Sequence, residues 1–189
     1  MQALSIQLTP AGAQDQGFLR ALHASTRADE VRLWGWDEAQ TQAFMAQQFM
    51  AQQMAYRHQF GAEHDQIVHV DGAAVGRLFV ATAQDALQVV DIALLPEHRG
   101  RGVGTELLRQ VLQTAAGLGK SVQLAVLHGN PAQHLYERLG FAVTGQDDLY
   151  VELTWGGAPL AALEAPGARA MALAIPPLHR NLPCHALTI

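Results

Sequence analysis

The sequence predicts an α/β fold of the α+β kind: a mixed, mostly antiparallel central sheet of about seven strands, flanked by helices. Three observations carry that expectation. The elements run strand, two helices, three strands, helix, strand, helix, two strands, and a meander followed by crossovers builds a mixed sheet under helices. Asp71-Gly72 separates two apolar stretches as a two-residue hairpin turn, because both turn positions must tolerate positive φ. Leu107, Leu108, Val111, Leu112 and Ala115 recur at helical spacing and give one helix a single apolar face.

Each element has its own signal. Leu4–Leu8 alternates apolar and polar residues and reads as a first strand. Thr9-Pro10 is expected to start a helix that places Phe18, Leu19 and Leu22 on one face and runs to about Ala24. The connection Ser25–Trp36 is polar and aromatic by turns. Asp37 can cap a second long helix, Glu38 to about His58, in which Phe44, Met45, Phe49 and Tyr56 keep helical spacing among many glutamines. Strands follow at Gln66–Val70, Ala74–Ala81 and Leu87–Leu94, then a loop at Leu95–Gly104 and a helix stopped by Gly117 and Gly119. Val122, Leu124 and Val126 mark another strand. Asn130-Pro131, with Gln133 placed for a capping box, is expected to open a helix ended by Gly140. Phe141–Thr144 and Leu149–Trp155 complete the sheet.

Length and composition fit one domain, expected over 1–155, with an Ala/Pro/Gly-rich C-terminal extension over 156–189. That extension contains a short possible helix around Leu160–Ala165 and is a candidate for packing on a second subunit, as in a homodimer. Nearly half of the residues are hydrophobic and 15% are charged, as in soluble globular proteins. No signal peptide or membrane span is apparent, and the single cysteine, Cys184, cannot form an internal disulfide; a cytoplasmic setting is expected. The formal net charge of −5 disfavours nucleic acid as a partner and favours a cationic one. The nine histidines show no zinc-ligand spacing, so no metal is expected.

The chemistry concentrates in Val90–Thr105. A buried strand ends near Pro96, a loop carries Arg99-Gly100-Arg101-Gly102-Val103-Gly104, and an amphipathic helix follows. Helix N-termini present unpaired N–H groups and partial positive charge, worth ~0.3–2 kcal/mol to a bound anion. Glycines let the backbone wrap a phosphate, and two arginines add charge, so a pyrophosphate is the natural ligand. A dinucleotide-binding Gly-x-Gly-x-x-Gly does not fit, because the glycines stand at 100, 102 and 104 and follow a meander. A nucleotide-hydrolysing P-loop needs Gly-Lys-Ser/Thr, and no lysine precedes Lys120.

Arg99–Gly104 resembles the Arg/Gln-x-x-Gly-x-Gly/Ala loop of the GNAT superfamily of acyl-CoA N-acyltransferases. The segment from Asn130 to Phe141, with Leu135-Tyr136 and Gly140-Phe141, is similar to the second hallmark of that superfamily, and the two lie in the expected order. The resemblance covers Leu4–Trp155 and implies a GNAT-like fold, acetyl-CoA as co-substrate, and a small-molecule or peptide amine as acceptor. It further implies that Ile92, Ala93 and Leu94 pair with the pantetheine arm through their backbone, and that Arg99, Gly100, Arg101, Gly102, Val103, Gly104 and Thr105 hold the pyrophosphate. Asn130 is implied at the pantetheine, and Tyr136 beside the thioester sulfur as general acid. With a thiol pKa of ~8.5 and a phenol pKa of ~10, the proton transfer is uphill by only ~2 kcal/mol.

Other readings stay open beside these. Asn130 can be a helix cap and Tyr136 a packing residue. Trp34 and Trp36, in the segment that the resemblance makes an acceptor site together with Arg27, Asp29, Glu30 and Arg32, can instead cap the core. Two positions where superfamily members carry glutamate are Gln88 and Ala125 here, and Asp91 is the nearest acid, either a base or water relay or a hydrogen-bonding strand residue. Those departures also admit a catalytically weak acyl-CoA-binding module that regulates a partner.

Overall fold

A computed structural model describes residues 5–61 and 63–156, without the side chains of Asp29 and Glu30. The expected strand residue Leu4 and the helix around Leu160–Ala165 lie outside the described residues. The strands are β1 (Ile6–Pro10), β2 (Asp65–Val70), β3 (Ala73–Thr82), β4 (Ala86–Leu94), β5 (Ser121–Leu127), β6 (Ala142–Gln146) and β7 (Tyr150–Trp155). They form one seven-stranded sheet in the order β1-β2-β3-β4-β5-β7-β6. The helices are α1 (Gln16–Thr26), α2 (Ala28–Arg32), α3 (Glu38–Phe60), α4 (Val103–Leu118) and α5 (Gln133–Arg138). No helix among the described residues is long and apolar enough to cross a membrane.

The described residues divide into two compact units. One draws on the described chain up to Phe79 and on Ile92–Val103, the other on Val80–Asp91 and the described chain from Gly104 onward. In the first, β1 pairs antiparallel with β2 and β2 with β3, and Leu19 of α1, Phe49 of α3 and Ile67 of β2 pack into one cluster. Asp71 (φ 51°) and Gly72 (φ 83°) make the hairpin that the sequence announces. Asp37 caps α3 as expected: its carboxylate accepts from Gln40 N at 2.8 Å, and the Gln40 side chain answers the Asp37 N–H at 3.2 Å.

Thr9-Pro10 does not start a helix. β1 runs through Pro10, which pairs opposite Gln66, and α1 begins only at Gln16. An edge strand tolerates proline because the missing N–H need not serve a neighbour. The first unit also carries a buried ion pair: Arg77 donates from Nε to Asp65 Oδ1 at 2.7 Å and from its terminal nitrogen to Oδ2 at 2.8 Å. The guanidinium lies over the rings of Tyr56 and Phe79, so its planar faces are covered as well.

In the second unit β4 and β5 are parallel, β5 and β7 antiparallel, and β7 and β6 antiparallel. The register between β4 and β5 spans three positions, Ala86↔Ser121, Leu87↔Val122 and Gln88↔Gln123. β7 alternates buried Val151, Leu153 and Trp155 with half-buried Tyr150, Glu152 and Thr154, so one face belongs to the core and the other stays partly open. Asn130 is not the N-cap of α5, which begins three residues later. Its Oδ1 accepts from Ala132 N at 2.9 Å, closing a local turn before the helix.

Candidate active site

The loop after β4 takes its shape from its glycines. Gly100 (φ 68°) and Gly102 (φ 85°) adopt left-handed backbone that other residues rarely enter, and both are exposed. Between them Arg101 is exposed, and α4 starts at Val103, so the loop delivers the backbone into the first turn of a 16-residue helix. That turn holds Gly104 and Thr105, and its N–H groups are the unpaired donors of a helix start.

Arg99 does something the sequence did not reveal. Its Nε donates to the carbonyl oxygen of Leu94 at 2.8 Å, tying the loop back to the strand it leaves. The end of β4 is fixed from a second side, where Leu95 N donates to Val75 O at 2.9 Å. Ile92, Ala93 and Leu94 are all buried. Gly76 on β3 is required by close approach: a Cβ there would run into the Ala93 carbonyl oxygen, and would lie 2.6 Å from the Leu94 side chain.

Trp34 and Trp36 come together. Their ring centroids are 4.9 Å apart, and Phe44 of α3 meets them edge-on at 5.4 and 5.3 Å. The Arg27 guanidinium lies 5.8 Å from the Trp34 ring centre. Both tryptophans stay partly open, Trp34 at 37% and Trp36 at 45%, so they form a small aromatic platform at the surface and not a sealed core cap.

In the other unit the structure brings Tyr136 and Asp91 together. Tyr136 is 0% exposed, and its ring packs against Phe141 with centroids 5.7 Å apart. Its hydroxyl has no hydrogen-bond partner among the described residues. Burial raises the pKa of this phenol above its ordinary value, and the nearby charge of Asp91 raises it further, because both disfavour tyrosinate. Asp91 is itself buried, at 6% exposure. The ~2 kcal/mol cost expected for proton transfer to a thiolate is therefore a lower bound.

Sequence reasoning passed over Gly76 and Glu152, and gave Phe44 only a place on the second long helix. Glu152 stands directly opposite Ala125 across the β5–β7 ladder and opposite Gly145 across the β6–β7 ladder. Only the alternation in Tyr150–Trp155 hinted at it, by placing Glu152 on the open face.

The acetyltransferase (GNAT) family is matched over residues 20–141. Among curated proteins, streptothricin acetyltransferase of Streptomyces lavendulae is 38% identical over 86 residues, 42% of this chain and 44% of that protein. The L-amino acid N-acyltransferase MnaT of Escherichia coli (strain K12) is 42% identical over 53 residues, 27% of this chain and 31% of that protein. The chain thus spans less than half the length of these curated relatives. Two solved structures share the fold. The PaiA N-acetyltransferase from Thermoplasma acidophilum in complex with coenzyme A has a TM-score of 0.59 at 14% identity, covering 79% of this chain and 98% of that one. Arabidopsis thaliana Naa50 in complex with the bisubstrate analogue CoA-Ac-MVNAL has a TM-score of 0.53 at 15% identity, covering 80% and 98%.

Proposed function

This chain belongs to the acetyltransferase (GNAT) family, and we propose that it transfers an acetyl group from acetyl-CoA to a primary amine of a small molecule or peptide. The attack is direct, within a ternary complex, and the setting is the cytoplasm. The observation that carries the reading is the Tyr136 hydroxyl: fully buried, kept protonated, and without a protein partner among the described residues. A buried hydroxyl left unpaired costs ~1–3 kcal/mol, and a departing sulfur would meet that donor. The amine class draws support from two relatives, an acetyltransferase for streptothricin and an acyltransferase for L-amino acids.

The residues divide the work. The backbone of Arg99–Thr105 holds the pyrophosphate, shaped by the left-handed Gly100 and Gly102, with Arg101 adding charge. Arg99, engaged with the Leu94 carbonyl, fixes the loop shape. The backbone of Ile92–Leu94 takes the pantetheine arm like an added strand, and N–H groups near Ala93 polarise the acyl carbonyl. Asn130 sits at the pantetheine, and the Trp34–Trp36 platform receives the acceptor. Bound acetyl-CoA supplies an activated acyl carbon and a thiolate leaving group. Tyr136 donates its hydrogen bond to that sulfur and hands over the proton as the sulfur departs. Asp91 relays a proton back to Tyr136.

The test has two steps. Acetyl-CoA at about 100 times its dissociation constant adds about 2.7 kcal/mol of stability, which raises Tm by roughly 5–10 °C in a chain of this size. Thiol release from acetyl-CoA must then depend on an added amine, with acetyl mass appearing on that amine. Tight acetyl-CoA binding with no turnover across a broad amine and peptide panel overturns the transferase and leaves a binding module.

A further inference from the structure

Among its described residues the second unit contains seven side-chain carboxylates, and six have an evident occupation or place. Asp85 and Asp148 are exposed in hairpin turns. Glu106 faces Arg109 and Gln110 along α4, and Glu137 faces Gln133 and His134 along α5. Asp147 closes the β6–β7 turn by accepting from Leu149 N and Tyr150 N at 2.8 and 2.7 Å. Asp91 lies beside Tyr136. Glu152 is the remaining one. It stands on β7, an inner strand with β5 on one side and β6 on the other. It is half-buried, and no ion pair or hydrogen bond holds its carboxylate among the described residues.

Its surroundings form a niche. Directly opposite residues of antiparallel strands share a face, with Cβ atoms roughly 5 Å apart. The residues opposite Glu152 are among the smallest available: Ala125 on β5 and Gly145 on β6. A Cβ at Gly145 would lie 2.6 Å from Glu152 Oε2, so the carboxylate uses the room that the glycine leaves. Along the strand the same face carries Tyr150 and Thr154, and the Thr154 hydroxyl meets that of Thr144 at 3.0 Å. Ala125 also lies two residues beyond Gln123, the last partner of β4 on β5, and strand periodicity puts it on the same face. The niche therefore borders the stretch of β5 past the end of its β4 register. A half-buried carboxylate lacking a counter-charge attracts a cation, and the cation of the proposed reaction is the protonated acceptor.

We propose that Glu152 receives the ammonium group of the acceptor and takes the proton that must leave before attack. This rests on the amine acetyltransferase reading above. One proton passes from R–NH3+ to the Glu152 carboxylate and then to solvent. The freed nitrogen lone pair forms the C–N bond to the acetyl carbon while the C–S bond breaks and the sulfur keeps that electron pair. The sulfur takes the proton of Tyr136, and the surplus proton on nitrogen returns to Tyr136 through Asp91. The sum is amide, free thiol and one released proton.

The experiment compares the wild-type chain with Glu152→Gln and Glu152→Asp on two acceptor classes at pH 7. The classes are amines with pKa ~10, almost wholly protonated, and weakly basic nucleophiles such as hydroxylamine that are already neutral. Glutamine is near in shape and cannot take a proton, so kcat/KM for the basic amines falls at least 100-fold, the low end of general base contributions. Turnover of the neutral nucleophile changes less than fivefold. Aspartate keeps the carboxylate and recovers at least tenfold over glutamine on the basic amines. The acetyl-CoA thermal shift stays that of the wild type in both variants, which shows that each is folded. Equal losses on both acceptor classes, or a glutamine variant that matches the wild type, overturn the role of Glu152. A wild-type chain that turns over neither class overturns the transferase reading instead.

Discussion

Replacing Tyr136 with phenylalanine should separate stability from function in opposite directions. The substitution removes one oxygen from a side chain that is 0% exposed and leaves the ring packing against Phe141 in place. Because the hydroxyl has no partner among the described residues, its removal abolishes a desolvation cost of ~1–3 kcal/mol. Against that stands the void of a single oxygen, worth under about 1 kcal/mol of lost contact. The free protein should therefore gain about 1 kcal/mol, a rise in Tm of roughly 2–4 °C for a chain of this length. The same change deletes the proposed donor to the departing sulfur, so kcat should fall ~100- to 10,000-fold. The dissociation constant for acetyl-CoA should move little. Differential scanning fluorimetry and thiol-release kinetics on one preparation read both. A Tm lower by more than 4 °C means that the hydroxyl is satisfied within the fold. A kcat within threefold of wild type means that the sulfur leaves without it.

The same tyrosine gives a pH signature. The unfolded phenol ionises near pH ~10, while the folded one stays protonated above that value, so beyond pH ~10 the native state binds more protons than the unfolded state and stability falls as pH rises. Urea unfolding at pH 10 and 11 should show the wild type losing up to about 1.4 kcal/mol more than Tyr136→Phe. Gly76→Ala drives a methyl into the Ala93 carbonyl and the Leu94 side chain. Chemical denaturation should register a loss of about 1–3 kcal/mol, and calorimetry a weaker affinity for acetyl-CoA. Asp65→Ala removes the carboxylate from the Arg77 guanidinium, 3% exposed, and should cost about 3–5 kcal/mol. The double change Asp65→Leu with Arg77→Met should cost far less than the sum of the single changes in the same unfolding assay.

The legible parts of the fold were those whose cause is local. Asp71-Gly72 fixes its turn by backbone preference alone, and Asp37 caps the helix that begins at the next residue. The glycine spacing of the loop at 99–104 encodes its own left-handed turns. Where a local signal competes with a distant partner, the partner decides. Thr9-Pro10 looks like a helix start, but pairing with Ile67 and Gln66 holds both residues in β1. Asn130 looks like an N-cap, but its side chain closes the turn ahead of α5. The connection over 25–36 likewise holds α2 and an aromatic platform completed by Phe44, a residue of the next helix.

The proposed site follows the same division, and this bears on how a base could be missing from the motif and present in the molecule. A motif records which residue occupies a position along one strand. A sheet makes a site from positions across strands, and a carboxylate on β7 reaches the face that Ala125 leaves bare because the register sets the two residues opposite each other. Asp91, buried at 6% exposure beside Tyr136, carries a charge that opposes ionisation of the phenol. That opposition suits the later step. A proton arriving on Asp91 removes the charge, lowers the phenol pKa from its raised value, and makes Tyr136 a better donor while the sulfur is accepting. Desolvation remains the larger cause of the raised value, so the coupling adjusts the acid without freeing a tyrosinate. In the proposed mechanism two carboxylates on different strands divide the work: Glu152 discharges the incoming ammonium, and Asp91 keeps the phenol loaded until the bond to sulfur breaks.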